Sequence, residues 1–166
     1  MKSASVRLSI GILLVMPHLL GATDTAGETG SGGGFGGPIP AIDLRDHDFT
    51  GDGLARLDGD WAMFWNTLID PDLVRDELGD TAASSAPVRF TLPATWNTFE
   101  RDGEQLGGRG YASFAVRVLL PPAMRRGAVR VSPASTAYRL WIDGTEVAAS
   151  GVPGTTPDTT TSGRVV

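Results

Sequence analysis

Short apolar segments separated by turn residues recur along this chain from residue 39 onward. The clearest is 112–120, where Phe114, Val116 and Val118 alternate with small or polar residues until Pro121 ends the pattern. Alternation of period two is typical of a half-buried β-strand. The same reasoning predicts strands at 39–44, 61–65, 88–92, 112–120, 128–131, 138–142 and 146–149. Many short strands joined by Gly and Pro turns favour an all-β, antiparallel sandwich.

Two local patterns are more specific. In 138–142, Arg139 and Trp141 share one strand face, opposite Leu140. Asp143-Gly144 follows directly, and this dipeptide between two alternating segments predicts a tight β-hairpin turn. One helix is predicted at 71–78, because proline suits the first helical position and a glycine at 79 ends the segment.

The N-terminus has the pattern of a secretory leader. Lys2 and Arg7 precede a short apolar stretch, 8–20, which ends in small residues at 21 and 22. This arrangement predicts a signal peptide at 1–22 and an exported protein; the alternative is a retained N-terminal anchor. Residues 23–40 are rich in glycine and predict a flexible linker, so the folded domain is expected at 41–166.

Composition excludes several classes of function. The chain carries a formal net charge of −5 and has no basic cluster, which argues against binding to nucleic acid. It contains no cysteine, so thiol catalysis, disulfides and cysteine-ligated zinc are excluded. His47 is the only imidazole outside the predicted leader, and no catalytic motif accompanies it. We therefore predict no enzymatic activity and no cofactor for this chain.

An acidic loop, Asp46 to Asp52, partly resembles a calcium-binding loop. Counted from Asp46, its first four ligand positions and Gly51 fit an EF-hand. The twelfth position, which supplies a bidentate glutamate in that motif, is Leu57. No metal site is predicted, and an acidic turn leading into the next strand is the simpler interpretation.

Aromatic residues are better candidates for binding, because their faces stack on sugars and other flat ligand surfaces. Most aromatic residues in strands belong to the core. Trp141 is an exception to examine, since it alternates away from the apolar face, and Trp96 adjoins a polar loop. The predicted ligand-binding rim consists of Trp96, Asn97, Arg109, Tyr111 and Trp141.

Four blocks occur in an order that resembles a known family. They are Leu-Asp-Gly-Asp-Trp at 57–61, Leu-Pro-Ala-Thr-Trp at 92–96, Gly-Tyr-Ala-Ser-Phe at 110–114 and Leu-Trp-Ile-Asp-Gly at 140–144. The set is similar to the sugar-binding jelly roll of family 2 glycoside hydrolases. It also resembles the galactose-binding-like domain that begins bacterial seven-transmembrane diverse intracellular signalling (7TM-DISM) receptors, and the leader favours that version. Two turn residues, Ala94 and Asp143, differ from the usual blocks.

The resemblance implies a jelly-roll β-sandwich that senses a small molecule or carbohydrate on the extracytoplasmic or periplasmic side of the inner membrane. It further implies that closing strands, a transmembrane region and a cytoplasmic output follow, so 41–166 is expected to be a C-terminally incomplete domain. Those missing parts of the receptor would be its partners. One alternative is a non-catalytic carbohydrate-binding module of a secreted glycoside hydrolase; another is a fragment with no function of its own.

Overall fold

The computed structural model describes residues 9–18, 39–51, 53–71, 87–131 and 137–163, and they form an all-β fold. The strands are β1 (Ser9–His18), β2 (Ala41–Asp43), β3 (Gly59–Trp65), β4 (Val88–Leu92), β5 (Glu100–Arg101), β6 (Glu104–Gln105), β7 (Gly110–Leu119), β8 (Tyr138–Ile142) and β9 (Thr145–Ser150). A seven-stranded sheet has the order β4-β3-β7-β1-β8-β9, and β2 also pairs with β7. A separate two-stranded sheet joins β5 to β6.

The structure confirms the all-β prediction, but the large sheet is mixed and not antiparallel throughout. β2 runs parallel to β7, with Ala41 opposite Arg117 and Asp43 opposite Leu119. β7 has ten residues, and β3 pairs with only part of its edge, so the rest is available to β2. β3 pairs with 112–115 of β7, and β2 pairs with 117–119.

Most predicted strands are confirmed within one or two residues. The segments 88–92 and 138–142 have the observed bounds, whereas the predicted strand at 39–44 is shortened to Ala41–Asp43. The strand predicted at 128–131 is wrong, because that segment has no strand pairing and leaves Val129 39% exposed. Residues 19–38 and 72–86 lie outside the described residues. The helix predicted at 71–78 and the linker predicted at 23–40 fall almost entirely within these two stretches.

The two faces of the large sheet are both buried, but unequally. The main face carries Met63, Phe114 and Leu140, which belong to a large core cluster with Trp61, Phe90, Trp96 and Phe99. The second face carries a smaller cluster formed by Ala62, Phe64 and Ala115, against which Ile39, Ile69 and Trp141 pack. Since neighbouring residues of a strand point to opposite faces, the apolar residues of β3 at 61–64 are all buried.

The side chain of Ser113 binds the segment that follows β3 to the second face of the sheet. This side chain is fully buried, and its hydroxyl donates to the carbonyl of Thr67 at 2.9 Å. The same oxygen accepts from the backbone N–H of Ile69 at 3.0 Å. One hydroxyl therefore satisfies two backbone groups of the segment after β3 and holds Ile69 against the second cluster.

The strand β1 lies within the predicted leader and in the middle of the sheet. Its ten residues pair antiparallel with β7, from Ser9 opposite Leu119 to His18 opposite Gly110. On its other edge, 12–15 pair with β8. The signal peptide at 1–22 stays a prediction, and cleavage after Ala22 would remove this central strand.

Candidate functional site

Trp96 forms part of the core rather than an open rim. It begins a short 3-10 helix, Trp96–Thr98, and is only 7% exposed. Its ring is stacked nearly parallel to Phe114 at 6.1 Å between centroids and meets Trp65 edge-on at 5.3 Å. In this conformation the face of the indole is occupied by other aromatic rings, so its role here is packing on the main face.

The loop that follows Trp96 is anchored at both ends. Asn97 and Arg109 are exposed, as predicted for a rim, but between them lies the β5–β6 hairpin, which the sequence reasoning missed. Phe99 inserts into the core 5.4 Å from Phe90, and its carbonyl accepts from the N–H of Leu106 at 3.0 Å. The loop therefore presents its polar groups to solvent from a fixed base.

Tyr111 begins the well-packed part of β7 and is partly buried. Its carbonyl accepts from the N–H of Asn66 at 2.8 Å, so the backbone here is fixed to the end of β3. Because Phe114 belongs to the main core, alternation along β7 puts Tyr111 on the second face. Tyr111 and Trp96 are thus on opposite faces of the sheet.

Trp141 also lies on the second face, where its partly buried side chain packs against the cluster of Ala62, Phe64 and Ala115. Arg139 shares this face two residues earlier on β8, and Glu146 is the cross-strand neighbour of Trp141 on β9.

Arg139 and Glu146 form an ion pair beside that indole. The Arg139 Nη1 donates to both carboxylate oxygens of Glu146, at 2.8 and 3.0 Å. Their side chains are 38% and 40% exposed, so both remain in contact with solvent. A β-bulge between Leu140 and Trp141 shifts the register of the hairpin at this point. We call Arg139, Trp141 and Glu146 the β8–β9 patch.

The structure does not bring the five predicted rim residues together. Trp96 packs on the main face, whereas Tyr111 and Trp141 lie on the second face. Asn97 and Arg109 are exposed in the loop that joins Trp96 to β7. Arg139 and Glu146 were not predicted as site residues. The period-two pattern of β8, which puts Arg139 on the same face as Trp141, could have identified Arg139 from the sequence. The position of Glu146 opposite Trp141 depends on the register of the hairpin.

In the acidic loop, the carboxylate of Asp48 accepts hydrogen bonds from within the same turn. Its Oδ1 accepts from the hydroxyl of Thr50 at 2.6 Å and from the N–H of the same residue at 2.8 Å, and these bonds lower the pKa of the carboxyl. Nearby, the Nε2 of His47 is 3.1 Å from the carbonyl of Leu54. Nowhere in the described ranges do three His, Cys, Asp or Glu side chains gather as a possible metal site.

Comparisons with family models, with curated proteins and with solved structures gave no match to this chain. The resemblance to the 7TM-DISM domain and to the family 2 jelly roll therefore stays a prediction from the four sequence blocks. Within the parts of the chain that the structure describes, no helix has the length and apolar character needed to cross a membrane.

Proposed function

We propose that this chain is an extracytoplasmic ligand-sensing domain of a bacterial transmembrane signalling receptor, with a galactose-binding-like jelly-roll fold. The four ordered sequence blocks and the all-β architecture support the proposal. The ligand is a small molecule or a carbohydrate. Binding would shift an equilibrium between two conformations, which the receptor passes on to its membrane region.

The observation that carries the proposal is the β8–β9 patch. The partly buried indole of Trp141 adjoins the ion pair of Arg139 and Glu146, and all three contact solvent. An aromatic face stacks on the apolar face of a sugar ring. Arginine supplies several N–H donors and glutamate two acceptor oxygens, which match the hydroxyl groups around such a ring. The patch therefore combines a flat apolar surface with donors and acceptors at its edge.

A second candidate function uses the same patch. In a non-catalytic carbohydrate-binding module of a secreted glycoside hydrolase, stacking and hydrogen bonding would supply affinity without signalling. The resemblance to the family 2 jelly roll favours this alternative. The two functions differ in what the reading frame encodes beyond Val166: apolar spans of about 20 residues indicate a receptor, and a barrel with paired carboxylates indicates a glycosidase.

The binding test compares two variants on one strand. The full chain is titrated with a panel of neutral mono- and oligosaccharides, with calorimetry as the readout. We expect Trp141→Leu to abolish the binding seen for the unchanged chain. Tyr138→Leu is the matched control, because Tyr138 lies on the same strand and faces away from the patch. If the unchanged chain binds no sugar on the panel, the carbohydrate version of the proposal is wrong.

A further inference from the structure

The edges of β7 and β8 share one neighbour, the strand Ser9–His18. Leu14 lies opposite Phe114 on one side and Leu140 on the other, and Leu13 lies opposite Ala115 and Trp141. Backbone groups on both edges of this strand are therefore used in pairing. A strand in this position connects the two halves of the sheet, β4-β3-β7 and β8-β9.

The neighbours of this strand on β7 and β8 are apolar on both faces of the sheet. On the main face the strand is flanked by the buried Phe114 and Leu140, and on the second face by Ala115 and the partly buried Trp141. A central strand whose neighbours carry apolar side chains on both faces is expected to be apolar in a continuous run instead of alternating. Residues 10–16 read Ile-Gly-Ile-Leu-Leu-Val-Met, which is such a run.

The same property explains why this segment also has the pattern of a secretory leader. A leader needs a short continuous apolar stretch, and a central strand with apolar neighbours on both faces favours one as well. The sequence pattern alone cannot separate the two, whereas the pairing of all ten residues with β7 favours the strand.

We propose that the facing edges of β7 and β8 form a binding slot for one extended apolar strand, and that Ser9–His18 of the same chain is its occupant in the folded protein. Pairing with β7 and β8 holds the strand in place. Once the protein has folded, the Gly-rich segment that links the strand to the rest of the chain can therefore be cut without loss of the strand. Removal of the segment leaves unpaired N–H and C=O groups on both edges, and an added strand of the same sequence binds there by β-augmentation.

The first test is disulfide trapping in the full chain, which has no cysteine of its own. Ile12 pairs directly with Ile142, so the variant Ile12→Cys/Ile142→Cys should form an intramolecular disulfide on mild oxidation. The matched control is Leu13→Cys/Ile142→Cys. A shift of one residue turns the side chain to the opposite sheet face, so the control should stay reduced. Three outcomes would each overturn the proposal: the two variants cross-link equally, neither cross-links, or the disulfide joins two chains.

The second test removes the covalent connection after folding. A protease site is inserted between Gly32 and Gly33 in the Gly-rich segment, and the folded full chain is cut there. We expect the N-terminal piece to co-elute with the rest of the chain in size-exclusion chromatography. A labelled peptide of residues 9–18 should then exchange into the nicked protein.

The same peptide with Leu13→Pro is the control for this exchange, since proline cannot donate to a central strand. Loss of the N-terminal piece on cutting, with the remaining chain still monodisperse, would show that Ser9–His18 is not an integral strand. Equal uptake of the proline peptide would show that the binding is not strand pairing. Either result overturns the proposal independently of whether the chain binds a sugar.

Discussion

The indole ring of Trp65 lies directly over Gly110, with no space between them for a side chain. A Cβ built on residue 110 would overlap the Cη2 and Cζ2 atoms of the ring. Trp65 also contacts Trp96 edge-on, at 5.3 Å between ring centroids. This contact joins the end of β3 to the start of β7 and to the short helix after β4, and it requires glycine at position 110.

The first prediction is that Gly110→Ala destabilises the protein by about 1–3 kcal/mol, the usual cost of an added methyl group in a packed site. The free energy of unfolding is measured by urea denaturation. Gly108→Ala is the control, since a Cβ there meets no atom within 4 Å. Equal effects of the two substitutions would contradict the packing of Trp65 on Gly110.

The second prediction concerns the buried hydroxyl of Ser113. Ser113→Ala leaves the carbonyl of Thr67 and the N–H of Ile69 without this partner, so we expect a loss of about 1–3 kcal/mol in the free energy of unfolding. Ser162→Ala at an exposed position is the matched control, with little expected change. Hydrogen exchange at Ile69 should also accelerate in Ser113→Ala, and unchanged exchange there would refute the assignment.

The third prediction is a pH dependence centred on Asp60. Hydrogen bonds from Thr91 (2.7 Å) and Arg89 (2.6 Å) hold the pKa of its carboxyl below the ordinary value of 3.8. A carboxyl with a lowered pKa stabilises the fold above the unfolded value, and the contribution disappears as pH falls through the folded value. Both side chains of the ion pair are partly exposed, so the expected contribution is at most about 1 kcal/mol.

The measurement for Asp60 is the Tm of the unchanged chain and of Asp60→Asn from pH 7 to pH 2. We expect the unchanged chain to melt higher at neutral pH and the difference to shrink below pH 3.8. A difference that stays constant across this range would show that the charge of Asp60 does not matter.

The fourth prediction separates the β8–β9 patch from the loop. If ligand binds at the patch, Arg139→Gln and Glu146→Gln each weaken binding, because each removes a charge beside Trp141. Asn97→Ala and Arg109→Ala in the exposed loop should leave the affinity unchanged. Calorimetry with the best sugar of the panel is the readout, and the opposite pattern would move the site to the loop.

Local patterns predicted the hairpin well. Asp143 and Gly144 adopt positive φ angles of 49° and 77°, as a tight turn between twisted strands requires, and β8 has its predicted bounds. These features depend on residues close together in the chain. The predicted strand at 128–131 failed for the converse reason: its alternation was present, but no other strand pairs with it.

The surroundings of the candidate site were harder to predict, because they depend on pairing between distant residues. Trp96 and Trp141 both adjoin polar residues in sequence, yet they pack on opposite faces of the sheet. The parallel pairing of β2 with β7 and the insertion of β1 between β7 and β8 are likewise absent from any local pattern. Arg139, Trp141 and Glu146 lie within one hairpin, but the register shift between Leu140 and Trp141 decides which residue of β9 is opposite the indole.

The pairing of Ser9 with Leu119 has a consequence for the order in which the protein is made. A ribosome that adds about 5–20 residues per second needs on the order of ten seconds to synthesise the chain between these two positions. During this interval the most apolar segment of the chain has left the ribosome before either of its neighbouring strands exists. A chaperone that binds apolar segments can reach it once it has left the ribosome, so the segment is open to a competing partner before it can pair with β7.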